Sequence, residues 1–150
     1  MATDMGNKVV HIKGKCHCGN ISYELDWPDS ELEIVTRACR CTFCTKHGGN
    51  WTSHRGAVLS AEIRDESLVS KYEFGTRTAV FYVCRRCGIT PLVSSTIDNH
   101  LYAVVNANTF DDIDSSLLTR SAANFEGEGT DDRLERRKRN WIQTVRISGI

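Results

Sequence analysis

Apolar and polar residues alternate over several short stretches of the chain, which is the pattern of β-strands with one buried face. Residues 9–13 and 21–25 both alternate in this way, and the segment between them is rich in cysteine and glycine. The two stretches therefore predict a first hairpin that turns around residues 16–20. Ile34 and Val35 indicate another strand, which leads into a second group of cysteines.

Two further pairs of strands are expected in the middle of the chain. Residues 68–74 and 78–83 are rich in valine, tyrosine and phenylalanine, and a short turn segment separates them. Residues 92–97 and 101–105 flank residues 98–100, where aspartate and asparagine favour a tight turn. The chain is therefore expected to be mainly β, with antiparallel sheets.

The C-terminal part of the chain has the charge order of a helix. Thr130 is a suitable N-cap, acidic residues follow in the first turn, and the basic run 136–139 lies near the end. We therefore predict one short helix over residues 131–143. Its shared face would carry Leu134, Lys138, Trp141 and Val145. Because acidic residues precede the basic run, we expect a solvated helix face rather than a nucleic-acid patch.

The composition is that of an ordinary globular protein. Of 150 residues, 40% are apolar and 25% are charged, and the formal net charge is zero. These values predict one domain over residues 1–150 and exclude low-complexity, collagen-like and wholly disordered chains. Balanced charge provides no general attraction to nucleic acid or acidic lipid. The sequence shows no secretory leader and no apolar run of roughly 18 residues, so a cytoplasmic location is expected.

Seven cysteines are the most informative residues of the chain. They form three groups: Cys16 with Cys18, Cys39 with Cys41 and Cys44, and Cys84 with Cys87. An odd number of cysteines cannot all pair within one chain, and thiols persist in a reducing cytoplasm. Clustered cysteines there usually bind metal or take part in chemistry, so metal binding is the first hypothesis.

The spacing divides the cysteines into a group of four and a group of three. Cys84 and Cys87 form a Cys-x-x-Cys knuckle followed by glycine, which supplies two ligands of a tetrahedral zinc ion. A closed structural zinc site needs four ligands, and Cys16 and Cys18, also followed by glycine, are the natural second pair. The three that remain are Cys39, Cys41 and Cys44. Three thiolates match an open, catalytic zinc site, so two zinc ions per chain are expected.

Three alternatives remain open at this point. A zinc ribbon would join the last two cysteines of the second group with the third group, although the intervening segment is longer than the roughly 15–20 residues usual for ribbons. The cysteines could instead act in redox chemistry or form disulfides. A histidine, His47 or His54, could also complete the second site and make it purely structural.

The three cysteine segments resemble, in order and in sequence, those of the glutathione-dependent formaldehyde-activating enzyme family, which includes centromere protein V. The matching segments are residues 14–21, which begin Gly-Lys-Cys-His-Cys-Gly, residues 39–49 and residues 84–88. Weaker similarities continue at Pro91-Leu92, at residues 106–112 and at Trp141. The resemblance spans most of the chain and implies a zinc-bound, all-β Mss4-like fold.

The resemblance also implies roles for the cysteines. The residues that match the family's structural zinc ligands are Cys16, Cys18, Cys84 and Cys87, and those that match its three-thiolate catalytic site are Cys39, Cys41 and Cys44. The spacing gives the same division independently. The chain departs from the family pattern at two places: Ile89-Thr90 replaces the small Gly-Ser-like step usual before Pro-Leu, and Asn124-Phe125 stands where many members carry a histidine. These departures concern the substrate more than the fold.

The family activity joins glutathione to formaldehyde, which is a reversible formation of a carbon–sulfur bond. Zinc could bind the thiol as a fourth ligand and deprotonate it, or it could polarise the aldehyde oxygen. The first role suits three thiolates better, because their negative charge weakens the pull on a carbonyl but still allows a soft sulfur ligand to bind. We expect Arg55 to pair with a glutathione carboxylate, and His47 or His54 to move a proton.

The predicted function is therefore a zinc-dependent carbon–sulfur lyase or synthase that acts on a thiol such as glutathione and a small aldehyde such as formaldehyde. Neither a membrane nor a nucleic acid is expected as a partner. The alternative is a non-catalytic, zinc-stabilised binding module for a protein or chromatin partner. An incoming thiol could also remove the second zinc ion, which would make that site labile. An exchangeable fourth ligand position at the second site would distinguish the enzyme from the module.

Overall fold

The computed structural model describes residues 9–28, 34–113, 115–123 and 127–149, so Asn124 and Phe125 lie outside the described residues. The strands are β1 (Val9–Lys15), β2 (Ile21–Pro28), β3 (Ile34–Cys39), β4 (Trp51–Thr52), β5 (Val58–Ile63), β6 (Val69–Tyr72), β7 (Val80–Cys84), β8 (Leu92–Ile97), β9 (His100–Asn106), β10 (Leu118–Ala123) and β11 (Thr144–Ser148). The helices are α1 (Thr42–His47) and α2 (Thr130–Asn140). Short 3-10 turns lie at Glu66–Leu68, Ala107–Thr109 and Ser115–Leu117. The prediction of a mainly β chain with a short C-terminal helix is confirmed.

Within these residues the strands form two sheets, of order β1-β2-β5-β11 and β10-β3-β4-β9-β8-β7-β6. The three predicted hairpins are present as the antiparallel pairs β1–β2, β6–β7 and β8–β9. Asp98 and Asn99 form the last of these turns with φ of 52° and 64°, a left-handed backbone that Asx residues tolerate. Most pairs are antiparallel, but the edge strands β10 and β11 pair in parallel with β3 and β5.

The C-terminal helix differs from the prediction at both ends. Helix α2 begins after Gly129, which is the N-cap residue and makes no side-chain cap hydrogen bond. Thr130 is therefore the first helical residue and not the cap. The helix ends at Asn140, because Trp141 adopts extended backbone and β11, which contains Val145, then pairs with β5. Neither helix of the described residues is long and apolar enough to cross a membrane.

The basic run of α2 is not the solvated face that we expected. Arg137 is only 6% exposed, and its guanidinium carbon lies 4.9 Å from the centroid of the Trp141 ring. Arg136 donates hydrogen bonds to both carboxylate oxygens of Glu128. The expectation was wrong because charge composition does not determine which side of a helix packs against a sheet.

The larger sheet packs against a hydrophobic cluster on each of its faces. One cluster includes Ile12, Ile21, Leu25, Ile34, Leu59, Tyr82, Leu92 and Val105, drawn from both sheets. The other, which we call the aromatic cluster, contains Trp51, Phe81, Val93, Val104, Trp141 and Cys44. Phe81 and Tyr82 belong to different clusters because successive side chains of a strand point to opposite faces. The aromatic cluster therefore lies on the face of the larger sheet turned away from the smaller one.

Candidate metal centres and active-site cavity

Two turns bring four cysteines together. Cys16 and Cys18 lie in the turn between β1 and β2, whereas Cys84 ends β7 and Cys87 lies in the segment that leads to β8. Gly88, with φ of 82°, closes this second turn and donates its amide to the Cys84 carbonyl at 2.8 Å. The group, which we call the four-cysteine site, thus joins a turn of the smaller sheet to a turn of the larger sheet.

The sulfur atoms of the four-cysteine site have the spacing that a tetrahedral zinc ion requires. All four Sγ atoms lie within 4.8 Å of one another. The Sγ atom of Cys18 is 3.8 Å from that of Cys16 and 3.5 Å from that of Cys84. Zinc–sulfur bonds of about 2.3 Å in tetrahedral geometry place the sulfurs about 3.8 Å apart. Cys16 and Cys84 are fully buried, Cys87 is partly buried and Cys18 is exposed, and the four sulfurs together fit a structural zinc ion.

The surroundings of these thiols act on their pKa values in opposite directions. Burial raises the pKa of Cys16 to about 12, although the amide of Ile21 donates to its Sγ at 3.3 Å. Burial also opposes ionisation of Cys87, but the amides of Cys18 and Ile89 and the neighbouring thiols lower its pKa to about 6. The thiols of the site therefore do not all ionise together without a cation, and a divalent ion would compensate their charge.

The other three cysteines lie within one local segment. Cys39 ends β3, Cys41 is the N-cap of α1, and Cys44 lies in α1 and donates its amide to the Cys41 Sγ at 3.3 Å. Gly48, with φ of 84°, ends the helix and donates to the Cys44 carbonyl at 2.7 Å. The three Sγ atoms lie within 4.8 Å of one another. This three-cysteine site packs against the aromatic cluster.

The three-cysteine site has the chemistry of an incomplete soft-metal site. Hydrogen bonds with the thiols of Cys39 and Cys44 lower the pKa of Cys41. Hydrogen bonds with Cys39 and Cys41 raise the pKa of Cys44, and the hydrogen bond with Cys41 raises the pKa of Cys39. One thiolate held by two thiols is therefore the favoured state without a cation, and zinc would allow all three to ionise. Within the residues that the structure describes, no fourth histidine, cysteine or carboxylate joins the group. Three sulfurs at this spacing fit zinc and leave one ligand position for another molecule.

A cavity of about 240 Å³ lies beside the three-cysteine site. Its walls are mainly apolar and aromatic, and they also include four arginines. The lining residues are Arg37, Cys39, Cys41, Cys44, Trp51, Phe74, Gly75, Thr76, Ala79, Phe81, Val93, Val104, Arg133, Arg136, Arg137 and Trp141. A water molecule takes about 30 Å³ of liquid volume, so the cavity has room for a molecule considerably larger than a one-carbon aldehyde.

The structure brings the predicted metal ligands together but not the predicted substrate contacts. Arg55 is exposed, and His47 and His54 pack against the aromatic rings of Phe43 and Trp27, with ring centroids 5.4 Å apart in both pairs. None of Arg55, His47 and His54 lines the cavity. The glycines that follow Cys44 led us to predict substrate contacts in this segment. Glycine content does not show which way neighbouring side chains point.

Sequence reasoning missed the basic part of the cavity lining. Arg37 of β3 and three arginines of α2, Arg133, Arg136 and Arg137, all line the cavity. The three helical arginines recur at spacings of three and four residues, which places them on one helix face. That spacing could have indicated that the three side chains share the same surroundings. Arginine is seldom buried, however, so composition favoured an arginine face turned towards solvent.

A buried asparagine connects the segments that follow the two cysteine sites. The side-chain oxygen of Asn106 accepts from the amides of Asn50 and Asn108, both at 3.2 Å. Its side-chain nitrogen donates to the carbonyl of Thr90 at 3.2 Å. Asn108 in turn donates to the carbonyl of Gly48 at 3.1 Å. The weakly matching motif at residues 106–112 thus has a positioning role between the end of α1 and the cysteine knuckle.

The fold and the two cysteine clusters define a class of small, mainly β proteins with one closed and one open sulfur site. Residues 11–127 match the family model of the glutathione-dependent formaldehyde-activating enzyme, and the chain belongs to this family. The chain is also similar to a crystal structure of a Rhodobacter sphaeroides protein, with 27% sequence identity and a TM-score of 0.52. That match covers 69% of this chain and 92% of the other. The resemblance seen in the sequence is confirmed, and the function is of the general kind that the family name describes.

Proposed function

We propose that the protein is a zinc-dependent carbon–sulfur lyase or synthase that adds the thiol of glutathione to formaldehyde or catalyses the reverse reaction. The observation that supports this most directly is the three-cysteine site beside the cavity. Its sulfurs have the spacing of metal ligands, and within the described residues the group contains no fourth ligand. The four-cysteine site is complete and serves the fold in this proposal.

The residues of the cavity have separate roles in this reaction. Cys39, Cys41 and Cys44 hold the zinc ion. When bound, zinc lowers the pKa of a thiol at its fourth position, so that the thiol is present as the nucleophilic thiolate. Overall a carbon–sulfur bond forms, the carbonyl double bond becomes a single bond, and the thiol proton passes to the carbonyl oxygen. Apolar walls such as Phe74 and Phe81 limit the access of water, which competes for the aldehyde.

The proposed reaction suits a reducing cytoplasm, which is the compartment we assign to it. Seven cysteines without a disulfide support this assignment, because thiols persist where glutathione is abundant and reduced.

The first experiment is a count of zinc per chain by elemental analysis, before and after dialysis against millimolar glutathione. We expect two zinc ions in the fresh protein, one of which is exchangeable or removed by the thiol. Two ions that both resist glutathione and its exchange would indicate two closed sites and would favour the binding-module alternative.

The second experiment measures turnover. Glutathione and formaldehyde combine without a catalyst, so the readout is the rate of exchange between formaldehyde and S-(hydroxymethyl)glutathione, measured by NMR exchange spectroscopy. We expect the wild-type protein to increase this exchange rate above the spontaneous value. Cys41→Ser at the same concentration should leave the rate at the spontaneous value. Equal rates with the two proteins would overturn the proposed reaction.

A further inference from the structure

The arginines of the cavity are only partly balanced by carboxylates. Glu128 accepts three hydrogen bonds from Arg136, and its Oε1 atom lies 3.8 Å from Nε of Arg133. Within the residues that the structure describes, neither Arg37 nor Arg137 forms an ion pair with a carboxylate. Positive charge therefore remains at a mainly apolar cavity, where it is poorly solvated.

Arg137 is held in position along one part of its guanidinium group. Its Nη1 donates to the hydroxyl oxygens of Thr78 at 2.8 Å and Ser95 at 3.2 Å. The group also packs over the ring of Trp141. Its Nε is buried and has no acceptor among the described residues. A buried donor of this kind is costly unless an acceptor pairs with it, so Arg137 has an unsatisfied donor beside the cavity that it lines.

Neighbouring charges act on this group in both directions, since Glu128 raises the pKa of Arg137 and two arginines lower it. Burial and the charges of Arg136 and Arg133 lower the pKa of Arg137 to about 10. Arg37 donates one hydrogen bond, from Nη2 to the hydroxyl of Ser53 at 2.9 Å. An anion in the cavity would relieve this repulsion, and the planar fork of arginine matches a carboxylate best.

We propose that Arg137 and Arg37 form a carboxylate-binding subsite in the cavity beside the three-cysteine site. The inference rests on the proposed function, since it names the class of substrate that this site accepts. The substrate is an anionic thiol adduct: arginine holds its carboxylate while its sulfur lies at the cysteines. Formaldehyde has no carboxylate, so the acid group belongs either to glutathione or to a carbonyl partner that is itself a carboxylic acid.

A purely structural role for the arginines makes a different prediction. Three thiolates and one zinc ion carry a net negative charge, which nearby arginines could balance without binding any ligand. In that case Arg137→Gln would lower zinc retention at the three-cysteine site and leave carboxylate binding unchanged.

The test uses ligands that cannot react. S-methylglutathione has no thiol, so its binding to the zinc-loaded protein is independent of turnover. We would measure its affinity by calorimetry and compare it with that of its diethyl ester, in which both the glycyl and the glutamyl carboxylates are blocked. The second pair is phenylacetate and phenylacetamide, which differ in charge and represent an acid from the carbonyl partner.

We expect at least one acid to bind about 10- to 100-fold more tightly than the counterpart in which its carboxylate is blocked, as for a hydrogen-bonded charge pair. Arg137→Gln should remove this difference, and Arg137→Lys should restore only part of it. Arg139→Gln is the matched control, because Arg139 lies on the same helix, is exposed and does not line the cavity.

Each result has a defined meaning. A preference for S-methylglutathione over its ester assigns the carboxylate to glutathione, and a preference for phenylacetate assigns it to the carbonyl partner. If neither acid is preferred by wild-type protein, the subsite does not exist, and this comparison needs no variant that must fold. Loss of zinc in Arg137→Gln with unchanged acid preference would also overturn the proposal. An acid preference without turnover would instead count against the proposed function alone.

Discussion

The two cysteine sites of this protein are built from similar residues but are connected to the fold in different ways. The four-cysteine site draws its sulfurs from two turns, one in each sheet, that are far apart along the chain. The three-cysteine site lies within one short segment that includes α1. A cavity lies beside the three-cysteine site, and its lining includes all three of these cysteines. A metal ion that joins distant segments stabilises the fold, whereas a metal ion held by a local segment can be exposed to a substrate.

The largest expected effect is on the four-cysteine site. Cys84→Ser should abolish cooperative unfolding, because a structural zinc ion contributes on the order of 10 kcal/mol and typical domains are stable by only about 5–15 kcal/mol. Cys41→Ser should remain folded, with a melting temperature near that of the wild type, and should lose turnover. Thermal unfolding followed by circular dichroism, together with the exchange assay, measures both outcomes.

The two variants, Cys84→Ser and Cys41→Ser, are matched controls for each other, since each replaces one sulfur atom with oxygen. If Cys84→Ser and Cys41→Ser lose structure to the same extent, the division of the sites into structural and catalytic is wrong. If both stay folded, zinc at the four-cysteine site is not needed for the fold.

Asn106 connects the two regions, so its replacement should damage both. Asn106→Ala removes three side-chain hydrogen bonds and leaves buried backbone groups of Asn50 and Thr90 without partners. We expect the free energy of unfolding to fall by about 2–4 kcal/mol, since each unpaired buried group costs about 1–3 kcal/mol. Denaturant unfolding in zinc-containing buffer measures this change.

The control for this prediction is Asn108→Ala. Asn108 is exposed and its side chain makes one hydrogen bond, to Gly48. Its loss should cost less than about 1 kcal/mol. Equal costs for the two variants would show that Asn106 does not connect the sites.

The division of the cysteines could be predicted from sequence because it depends on local geometry. A Cys-x-x-Cys turn can supply only two ligands of one ion, so the number of cysteines in each group nearly determines the partition. The hairpins were predictable for the same reason, since alternation and turn residues act over a few positions. Information of this kind is local, and it predicts which cysteines share a turn.

The cavity lining could not be predicted because it depends on contacts between distant segments. Strand β11 pairs with β5, and this pairing ends α2 at Asn140. Arg137 is buried because Thr78, Ser95 and Trp141 surround it, and none of these contacts has a sequence signature. Arg55 illustrates the converse: it is close in sequence to the three-cysteine site, yet it does not line the cavity.

A smaller effect on stability is expected at the ion pair between Glu128 and Arg136 of α2, an arginine that lines the cavity. Glu128→Gln removes the ion pair with Arg136 and should cost about 1 kcal/mol at neutral pH. Burial opposes ionisation of Glu128, but the hydrogen bond and charge of Arg136 hold its pKa below the usual value. The stabilisation is therefore present above the pKa of the unfolded state and is lost as the pH falls through the folded pKa.

Hydrogen exchange locates this effect. Amides of α2 should exchange faster in Glu128→Gln, and those of the β1–β2 hairpin should not change. Glu135→Gln is the control, because Glu135 is more exposed and pairs with Lys138 within the same helix. Faster exchange in the hairpin would show that α2 and the four-cysteine site are coupled, against the separation of the two regions.

The smallest and most closely matched comparison uses two glycines. Gly48 follows the helix of the three-cysteine site and Gly88 follows the knuckle of the four-cysteine site, with φ of 84° and 82°. An added Cβ meets no atom within 4 Å at either position, so alanine introduces only backbone strain, about 1 kcal/mol in both cases.

Equal backbone strain should affect the melting temperature and the turnover differently if the four-cysteine site serves the fold and the three-cysteine site serves the reaction. In Gly88→Ala we expect the strain to lower the melting temperature by about 2–4 °C, because the knuckle holds both sheets together through its cysteines. In Gly48→Ala local adjustment of α1 should absorb most of the strain, so that the melting temperature changes less and turnover falls more. Thermal unfolding and the exchange assay on the same two samples test this. The reverse pattern, with turnover more sensitive to Gly88→Ala, would mean that the four-cysteine site also takes part in the reaction.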